Sequence, residues 1–380
     1  MNGNKSIKVL LVSPSPPPEG GIPSWTINVL DFLKNQNQIK YCYVDSAVKY
    51  KDILEIGLWK RITAGIRVTY DIIKQIKLTV RLQTPTVIHL TSSASLALFK
   101  DYLILRLSKK LNVPLIIHWR FGRIPDLAVK RNWEWRLISI IIRKSAYSIV
   151  IDNHSYKALK DAGFNNIVNI PNPISEELTN IANLQKNKER HADKGKIVFV
   201  GHVYSKKGIF ELVEACVILP EVKQLKLIGS FQDAVKADLK VIAKKRGNVE
   251  WLILSGAKSR EETYSEIKSA ELLILPSYTE GFPNVIIEAM AIGCAVVATD
   301  VGAIPDMIDA GLEKCCGICI PIRNIEKLKE AIFFLINNPE KSNIMGQNGI
   351  NKVLRNYTMK TIVEQYIQLW DNASHKKKLQ

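Results

Sequence analysis

The chain has 380 residues, 47% of them hydrophobic, so two cores of ordinary size can be buried and disorder over the whole length is excluded. Its formal net charge of +17 is lopsided: residues 1–175 hold 25 Lys/Arg against 11 Asp/Glu, residues 176–380 hold 28 against 25. The excess charge therefore meets its partner mostly through the first half; nucleic acid, an anionic membrane and a phosphorylated acceptor all fit at this level.

The opening, residues 1–8, is polar, and the apolar run 9–12 stops at a proline-rich loop. That run is too short for a signal-peptide core or a membrane span, and the apolar stretch 138–142 is closed off by charge. A cytoplasmic protein without a transmembrane anchor is expected. In the first half, β-like runs at 7–13, 86–90, 115–118, 148–151 and 167–170 alternate with helical stretches such as 96–111 and 133–144. Buried strands alternating with helices imply a parallel, doubly wound sheet.

A polar, charge-rich stretch, 175–194, follows Pro171-Asn172-Pro173 and reads as a linker. The pattern then restarts, with strands at 196–200, 225–228, 272–275 and 295–298 and a helix at 208–219. The expected organisation is an N-terminal Rossmann-like domain over 1–174, a linker over 175–195 and a second Rossmann-like domain over 196–355. A C-terminal helix and basic tail, 356–380, could pack back on the first domain.

Among the six cysteines, Cys315, Cys316 and Cys319 form a Cys-Cys-x-x-Cys cluster. Zinc takes about four ligands, and no second Cys/His pair stands at ligand spacing. The three are expected as reduced cysteines packed around a turn and a short strand.

The most informative segment runs Pro276-Ser277-Tyr278-Thr279-Glu280-Gly281-Phe282-Pro283-Asn284-Val285-Ile286-Ile287-Glu288-Ala289-Met290. A strand ends before it and a helix opens near Asn284. Loop amides leading into a helix N-terminus make an anion site without a charged side chain. Glu280 in the loop and Glu288, two turns or so into the helical region, could accept hydrogen bonds from vicinal hydroxyls, which suits a ribose–diphosphate–sugar ligand. The plainer reading of Glu280, an acidic residue set near a helix N-terminus for its dipole, carries equal weight on spacing alone.

This segment, with the Asp300-Val301-Gly302-Ala303-Ile304-Pro305-Asp306 turn, resembles the retaining GT-B glycosyltransferases of family 4. Gly20-Gly21-Ile22 resembles that family's N-terminal glycine loop more weakly. The resemblance implies a GT-B α/β fold, two facing Rossmann-like domains with parallel sheets and a cleft between them. It implies a nucleotide-sugar donor, UDP before GDP, and a glycan or lipid-linked acceptor, with bacterial surface polysaccharide synthesis as the setting. By the same resemblance Glu288 binds the donor ribose and Glu280 sits at the donor sugar near the reacting centre. Gly20, Gly21, Gly281, Phe282, Pro283, Asn284 and Val285 line the donor.

In the stretch from Phe199 to Gly208, Lys207 matches the family's diphosphate lysine. His202 stands where an arginine is usual. A histidine titrates near pH 6.5, so diphosphate binding is expected to lean on Lys207 and the amides. His118, ending a strand, matches a histidine that the family places at its active cleft; on residues alone a structural histidine is the commoner case. Arg120 and Arg123 beside it could meet an acceptor phosphate or form a solvated basic loop. No Asp-x-Asp motif occurs, and neither a cofactor nor a metal is expected.

Between Trp59 and Arg81, Ile62, Ile66, Ile73, Ile76 and Val80 recur on one helical side, and Lys60, Arg67, Lys74 and Arg81 every seven residues on the other. The plain reading is a core-facing helix with solvated charges. The sharper one is a basic face resting on the cytoplasmic side of an anionic inner membrane. Two alternatives remain: a GT-B sugar-nucleotide epimerase, and a non-enzymatic nucleic-acid-binding protein. The second lacks any recognisable nucleic-acid module, and no nucleic-acid partner is expected.

Overall fold

Short runs rich in Val, Ile and Leu, each followed by an amphipathic stretch, fold as strand–helix repeats, because a strand buried on both faces needs helices to cover it. The computed structural model describes residues 7–17, 20–36, 39–47 and 58–376, the last without the side chains of residues 58–64 and 376. The polar opening before residue 7, Pro18 and Glu19 of the proline-rich loop, and the lysine-rich tail past residue 376 lie outside the described residues.

The first unit begins with β1 (Lys8–Ser13), α1 (Gly21–Lys34), β2 (Lys40–Asp45), α2 (Leu58–Gln83), β3 (Val87–Ser92) and α3 (Ala97–Lys110). It continues with β4 (Leu115–Trp119), α4 (Ile124–Lys130), α5 (Trp133–Lys144), β5 (Tyr147–Val150), α6 (Asn153–Asp161) and β6 (Ile167–Asn169). The second unit holds α7 (Glu176–Gln185), β7 (Asp193–Val200), α8 (Ile209–Val217), β8 (Gln224–Ile228), α9 (Asp233–Ala243), β9 (Leu252–Leu254) and α10 (Arg260–Ser269). After these come β10 (Ala270–Leu275), α11 (Asn284–Ile292), β11 (Ala295–Thr299), α12 (Ile304–Met307), β12 (Gly317–Ile320), α13 (Ile325–Asn337) and α14 (Pro339–Asn356). The last helix, α15 (Met359–Lys376), returns to the first unit.

Each unit carries one six-stranded sheet, ordered β2-β1-β3-β4-β5-β6 and β12-β11-β10-β7-β8-β9, and the strand pairs are parallel throughout. In both sheets the order turns back beside the first strand, the topology that sets ligand crevices at the carboxyl ends of strands.

The chain passes between the units after Pro173 and again after Thr358, and the two crossings lie side by side, Ile174 N–H donating to Tyr357 O at 2.8 Å. The stretch expected as a linker over 175–195 holds the 10-residue helix α7 and the first residues of β7. Ser175 caps α7 by accepting from Leu178 N–H, Glu176 and Glu177 fill its first turn, and Leu178 and Ala182 are buried in the second core. Its charge density hides a short i, i+4 apolar stripe, and the Ser-Glu-Glu opening was the signal that marks the helix start.

Helix α15 shows the opposite case. Met359, Ile362, Val363, Tyr366, Leu369, Trp370 and Ala373 fall at three- and four-residue spacing, are buried, and pack with Val9, Leu11, Val87, Ile116 and Ile149 of the first sheet. Fully burying each of the larger side chains is worth about 1.5–3 kcal/mol, so this helix is part of the first unit's core.

In α2, Ile72 and Ile76 are buried and Ile73 and Val80 pack partly against the core, whereas Ile66 is 66% exposed. Ile66 therefore leaves the apolar side expected of it; the buried stripe runs through Ile72, one residue round the helix. Arg67, Lys74 and Arg81 are exposed, and Lys60 and Ile62 lie outside the described side chains.

Candidate active site

In the second unit two strand–loop–helix turns meet at the carboxyl ends of neighbouring strands β7 and β10. After β7 the chain runs through Gly201 and His202 to a short 3-10 turn at Ser205–Lys207, then Gly208 and α8. Gly208 has φ +66°, and a Cβ there would lie 2.0 Å from the Pro276 carbonyl oxygen. Only glycine lets the two loops come this close. Tyr278 N–H donates to Lys206 O at 2.9 Å and ties them together.

The close approach places Lys207 Nζ 2.5 Å from Glu280 Oε1, with both side chains less than one-fifth exposed. A third segment holds the Glu280 loop from the other side. Ala303 N–H donates to Gly281 O at 2.9 Å, and Gly302, with φ +56°, lies directly against the Glu280 carbonyl. The loop then enters α11, which has neither a side-chain cap nor an acidic residue in its first turn. The positive end of the helix is left unneutralised beside the ion pair.

Glu288 sits one turn into α11, not two, and burial pushes its carboxyl up to about 7 against the opposing effect of Arg260. The sequence-predicted lining residues Gly281, Phe282, Asn284 and Val285 are half-buried and Pro283 is buried. His202 is exposed, and its Nδ1 is 2.7 Å from Ser230 Oγ. Sequence reasoning missed Tyr278, whose hydroxyl donates to Glu211 and whose ring lies under the Arg323 guanidinium, 4.7 Å from centroid to Cζ.

In the first unit, Gly20 and Gly21 open α1, and Ser24 N–H donates to Gly20 O at 3.0 Å. His118, the last residue but one of β4, is fully buried in a cluster with Trp25 of α1, His89 of β3, and Tyr366 and Trp370 of α15. Trp370 Nε1 donates to His89 Nδ1 at 3.0 Å, and His89 Nε2 lies 3.1 Å from His118 Nδ1. Arg120 packs its guanidinium over the Trp25 ring at 4.7 Å and brings Nη1 to 3.4 Å from His118 Nε2.

Burial holds His89 down at about 3 and His118 well below the usual histidine range, and the Arg120 charge adds to both. Both imidazoles are therefore neutral near pH 7. Arg123, read with Arg120 from sequence, goes elsewhere: it pairs with Glu134 at 3.1 Å and donates to Ser95. The cluster's other members, His89, Tyr366 and Trp370, carry no sequence signal beyond the apolar spacing of α15.

Among the described residues no group of three or more His, Cys, Asp or Glu side chains stands where it could hold a metal ion. Cys319 lies in β12 and Cys316 is buried just before it. No helix among the described residues is long and apolar enough to cross a membrane.

This geometry has relatives. Residues 180–352 match the family model described as Glycosyl transferases group 1. An uncharacterized glycosyltransferase of Methanocaldococcus jannaschii is 27% identical over 242 residues, which cover 61% of this chain and 60% of that protein. The N,N'-diacetylbacillosaminyl-diphospho-undecaprenol alpha-1,3-N-acetylgalactosaminyltransferase of Campylobacter jejuni is 26% identical over 188 residues, covering 49% of this chain and 47% of that one. The chain thus matches between about half and three-fifths of the length of these relatives.

Among solved structures, sucrose-phosphate synthase from Thermosynechococcus elongatus superposes with a TM-score of 0.73 over 96% of this chain and 98% of that one, at 18% identity. HepE of Anabaena in complex with UDP gives 0.69 over 96% and 99%, at 15% identity. The architecture is that of the GT-B glycosyltransferases, and the segment that matches the glycosyl transferases group 1 model, 180–352, carries Lys207, Glu280 and Glu288.

Proposed function

We propose that the chain is a retaining glycosyltransferase that moves a hexose-type sugar from a nucleoside-diphosphate donor to a glycan or lipid-linked acceptor in surface polysaccharide synthesis. The observation that carries this reading is the Lys207–Glu280 pair at the uncapped N-terminus of α11, one turn from Glu288. A diphosphate there meets the Lys207 ammonium and the first amides of α11. Glu288, ionised, accepts from the ribose hydroxyls, and Glu280 accepts from hydroxyls of the sugar. UDP is the preferred nucleotide, in line with the complex that HepE of Anabaena forms with UDP.

As the glycosidic bond breaks, charge grows on the departing diphosphate, and Lys207 with the helix amides stabilises it where it develops. The acceptor hydroxyl attacks the face the diphosphate leaves and gives its proton to a diphosphate oxygen. The ammonium and amides stand in for a divalent ion, so transfer proceeds without added metal. With His202 turned to Ser230, Lys207 carries the side-chain positive charge at the diphosphate.

Helix α2 supports a cytoplasmic enzyme that works against an anionic membrane. Ile66, Tyr70, Leu78 and Leu82 are each more than half exposed, and exposed Arg67, Lys74, Lys77 and Arg81 are interleaved with them. Apolar groups that insert beside cations that meet headgroups is the pattern of an interfacial helix.

The test is thermal stability with UDP, GDP, ADP and dTDP and their sugars in EDTA. A ligand at one hundred times its Kd adds about 2.7 kcal/mol. One nucleotide series should stabilise the wild type and fail with Glu288→Ala and Lys207→Ala. Equal stabilisation of all three proteins would remove the donor site from α11. Incubation with donor alone should return the donor sugar unchanged; an isomerised sugar would make the chain an epimerase.

A further inference from the structure

The hydrogen-bond chain from Trp370 to Arg120 brings four N–H donors and only two acceptors to its three contacts. An indole nitrogen only donates, and so does a guanidinium. The two histidines between them are neutral, so each offers one donor and one acceptor. Trp370 Nε1, His89, His118 and Arg120 Nη1 are linked at 3.0, 3.1 and 3.4 Å. With a donor at both ends, one of the three contacts must be donor against donor.

Its place follows from burial. At the Trp370 end both residues are at most 1% exposed. A donor–donor contact there would strand two N–H groups where nothing can reach them, at the full desolvation cost of each. At the other end Arg120 is only partly buried and keeps the longest of the three distances. The mismatch belongs at His118 and Arg120. His89 then accepts at Nδ1 and donates from Nε2, His118 accepts at Nδ1, and its proton sits on Nε2.

Among the described residues that end also lacks an anion. Arg120 has no carboxylate partner among the described residues; its neighbours are His118, the Trp25 ring and Tyr366. Trp25 Nε1 and Tyr366 Oη, buried in the same cluster, face each other without a hydrogen bond of good geometry. Arg120 is anchored through its backbone, its N–H donating to Ser92 O at 2.8 Å.

We propose that Trp370 and His89 are positioning residues that hold buried His118 as its Nε2–H tautomer, so that His118 offers no acceptor to the half-buried Arg120 guanidinium, which is left to bind a phosphoryl oxygen. The proposal rests on the glycosyltransferase reading only for the origin of the phosphate, which is a lipid-phosphate acceptor. A sugar hydroxyl can accept from the guanidinium but brings no charge, whereas a phosphoryl oxygen accepts and also offsets a guanidinium that has no carboxylate partner among the described residues.

The experiment is nitrogen-15 NMR of the histidine rings in the full chain, titrated with inorganic phosphate. The expected result is a neutral His118 with its proton on Nε2 from pH 6 to 8, and a phosphate-dependent shift of that nitrogen which Arg120→Gln abolishes. Trp370→Phe keeps the stack on Tyr366 but removes the N–H. It should leave a folded protein in which His118 populates both tautomers and phosphate binds at least several-fold more weakly. His89→Gln, which retains a donor, should preserve the wild-type tautomer better than His89→Leu.

An Nδ1–H tautomer of His118 in the wild type, or an unchanged tautomer and affinity in Trp370→Phe, would overturn the proposal. Competition by farnesyl phosphate assigns the oxygen to the acceptor; its failure to compete overturns the assignment to substrate phosphate. The readout needs no turnover. A chain that transfers no sugar but shows the Nε2–H tautomer and the phosphate shift would refute the function proposed above and leave the anion site standing.

Discussion

Gly302 offers a direct test of how the Glu280 loop is held. Its φ of +56° is one that an L-residue adopts at a cost of about 1–2 kcal/mol. A Cβ at this position would also lie 2.3 Å from the Glu280 carbonyl oxygen and 2.8 Å from that of Gly281, both backbone atoms that cannot rotate away. Displacing packed backbone costs about 1–3 kcal/mol more. Gly302→Ala should therefore destabilise the second unit by about 2–5 kcal/mol. Gly256 is the control: its φ is +71°, and a Cβ there has nothing within 4 Å, so Gly256→Ala carries the conformational cost alone. For a unit of this size each kcal/mol lowers the melting temperature by about 2–4 °C, and the two variants should separate by about 2–12 °C. The functional effect should separate further. Moving the Glu280 carbonyl shifts the carboxylate against Lys207 and loosens the Ala303 N–H to Gly281 O bond, so nucleotide-sugar affinity should fall at least tenfold in Gly302→Ala and little in Gly256→Ala. Equal melting temperatures and equal donor affinities would show that the close approach does not position the loop.

Two further outcomes follow from the first unit. His89 is held at about 3 in the folded chain and returns to about 6.5 on unfolding, so the unfolded state binds the extra proton between those values. Stability tied to His89 is complete above pH 6.5 and is lost as pH falls toward 3, by about 1.4 kcal/mol per pH unit. Denaturant unfolding at pH 7.5 and 5 should show that slope in the wild type relative to His89→Gln; parallel profiles would refute the neutral buried imidazole. On α2, charge reversal at Lys74, Lys77 and Arg81 should abolish flotation with vesicles containing anionic phosphatidylglycerol, since each cation near such a surface is worth about 1 kcal/mol. Unchanged flotation would remove that helix from the membrane reading.

How much of this was legible in the sequence depends on the range of the interactions involved. The alternation of Val/Ile/Leu runs with amphipathic stretches located β1, β3, β4, β7, β8, β10 and β11 to within a few residues, because each is decided by its own burial. β2 escaped: it lies at the edge of its sheet, only one of its six residues is buried, and its ends are charged. Helix α7 escaped because its apolar stripe is short and lies among charges. At the site, Gly281–Pro283 before α11 could be read locally as a loop opening into a helix, and Glu280 and Glu288 came with it. Lys207 was found by resemblance, but its pairing with Glu280 spans 73 residues and depends on two loops that approach only because Gly208 has no side chain.

The cluster around His118 marks the limit more sharply. His89 lies inside a run that reads simply as a buried strand, and a histidine there gives no periodic signal. Trp370 falls on the core-facing stripe of α15, where an aromatic residue is ordinary packing. Neither residue suggests the other, and the bond between them spans 281 positions. Their role emerges from a count of donors against acceptors along a closed chain of contacts, and such a count exists only after β3, β4 and α15 have packed. Pattern reading finds residues whose role is decided by their neighbours in sequence. A tautomer is decided by the far end of the hydrogen-bond chain, so the residue that sets the chemistry of His118 is one the sequence presents only as core.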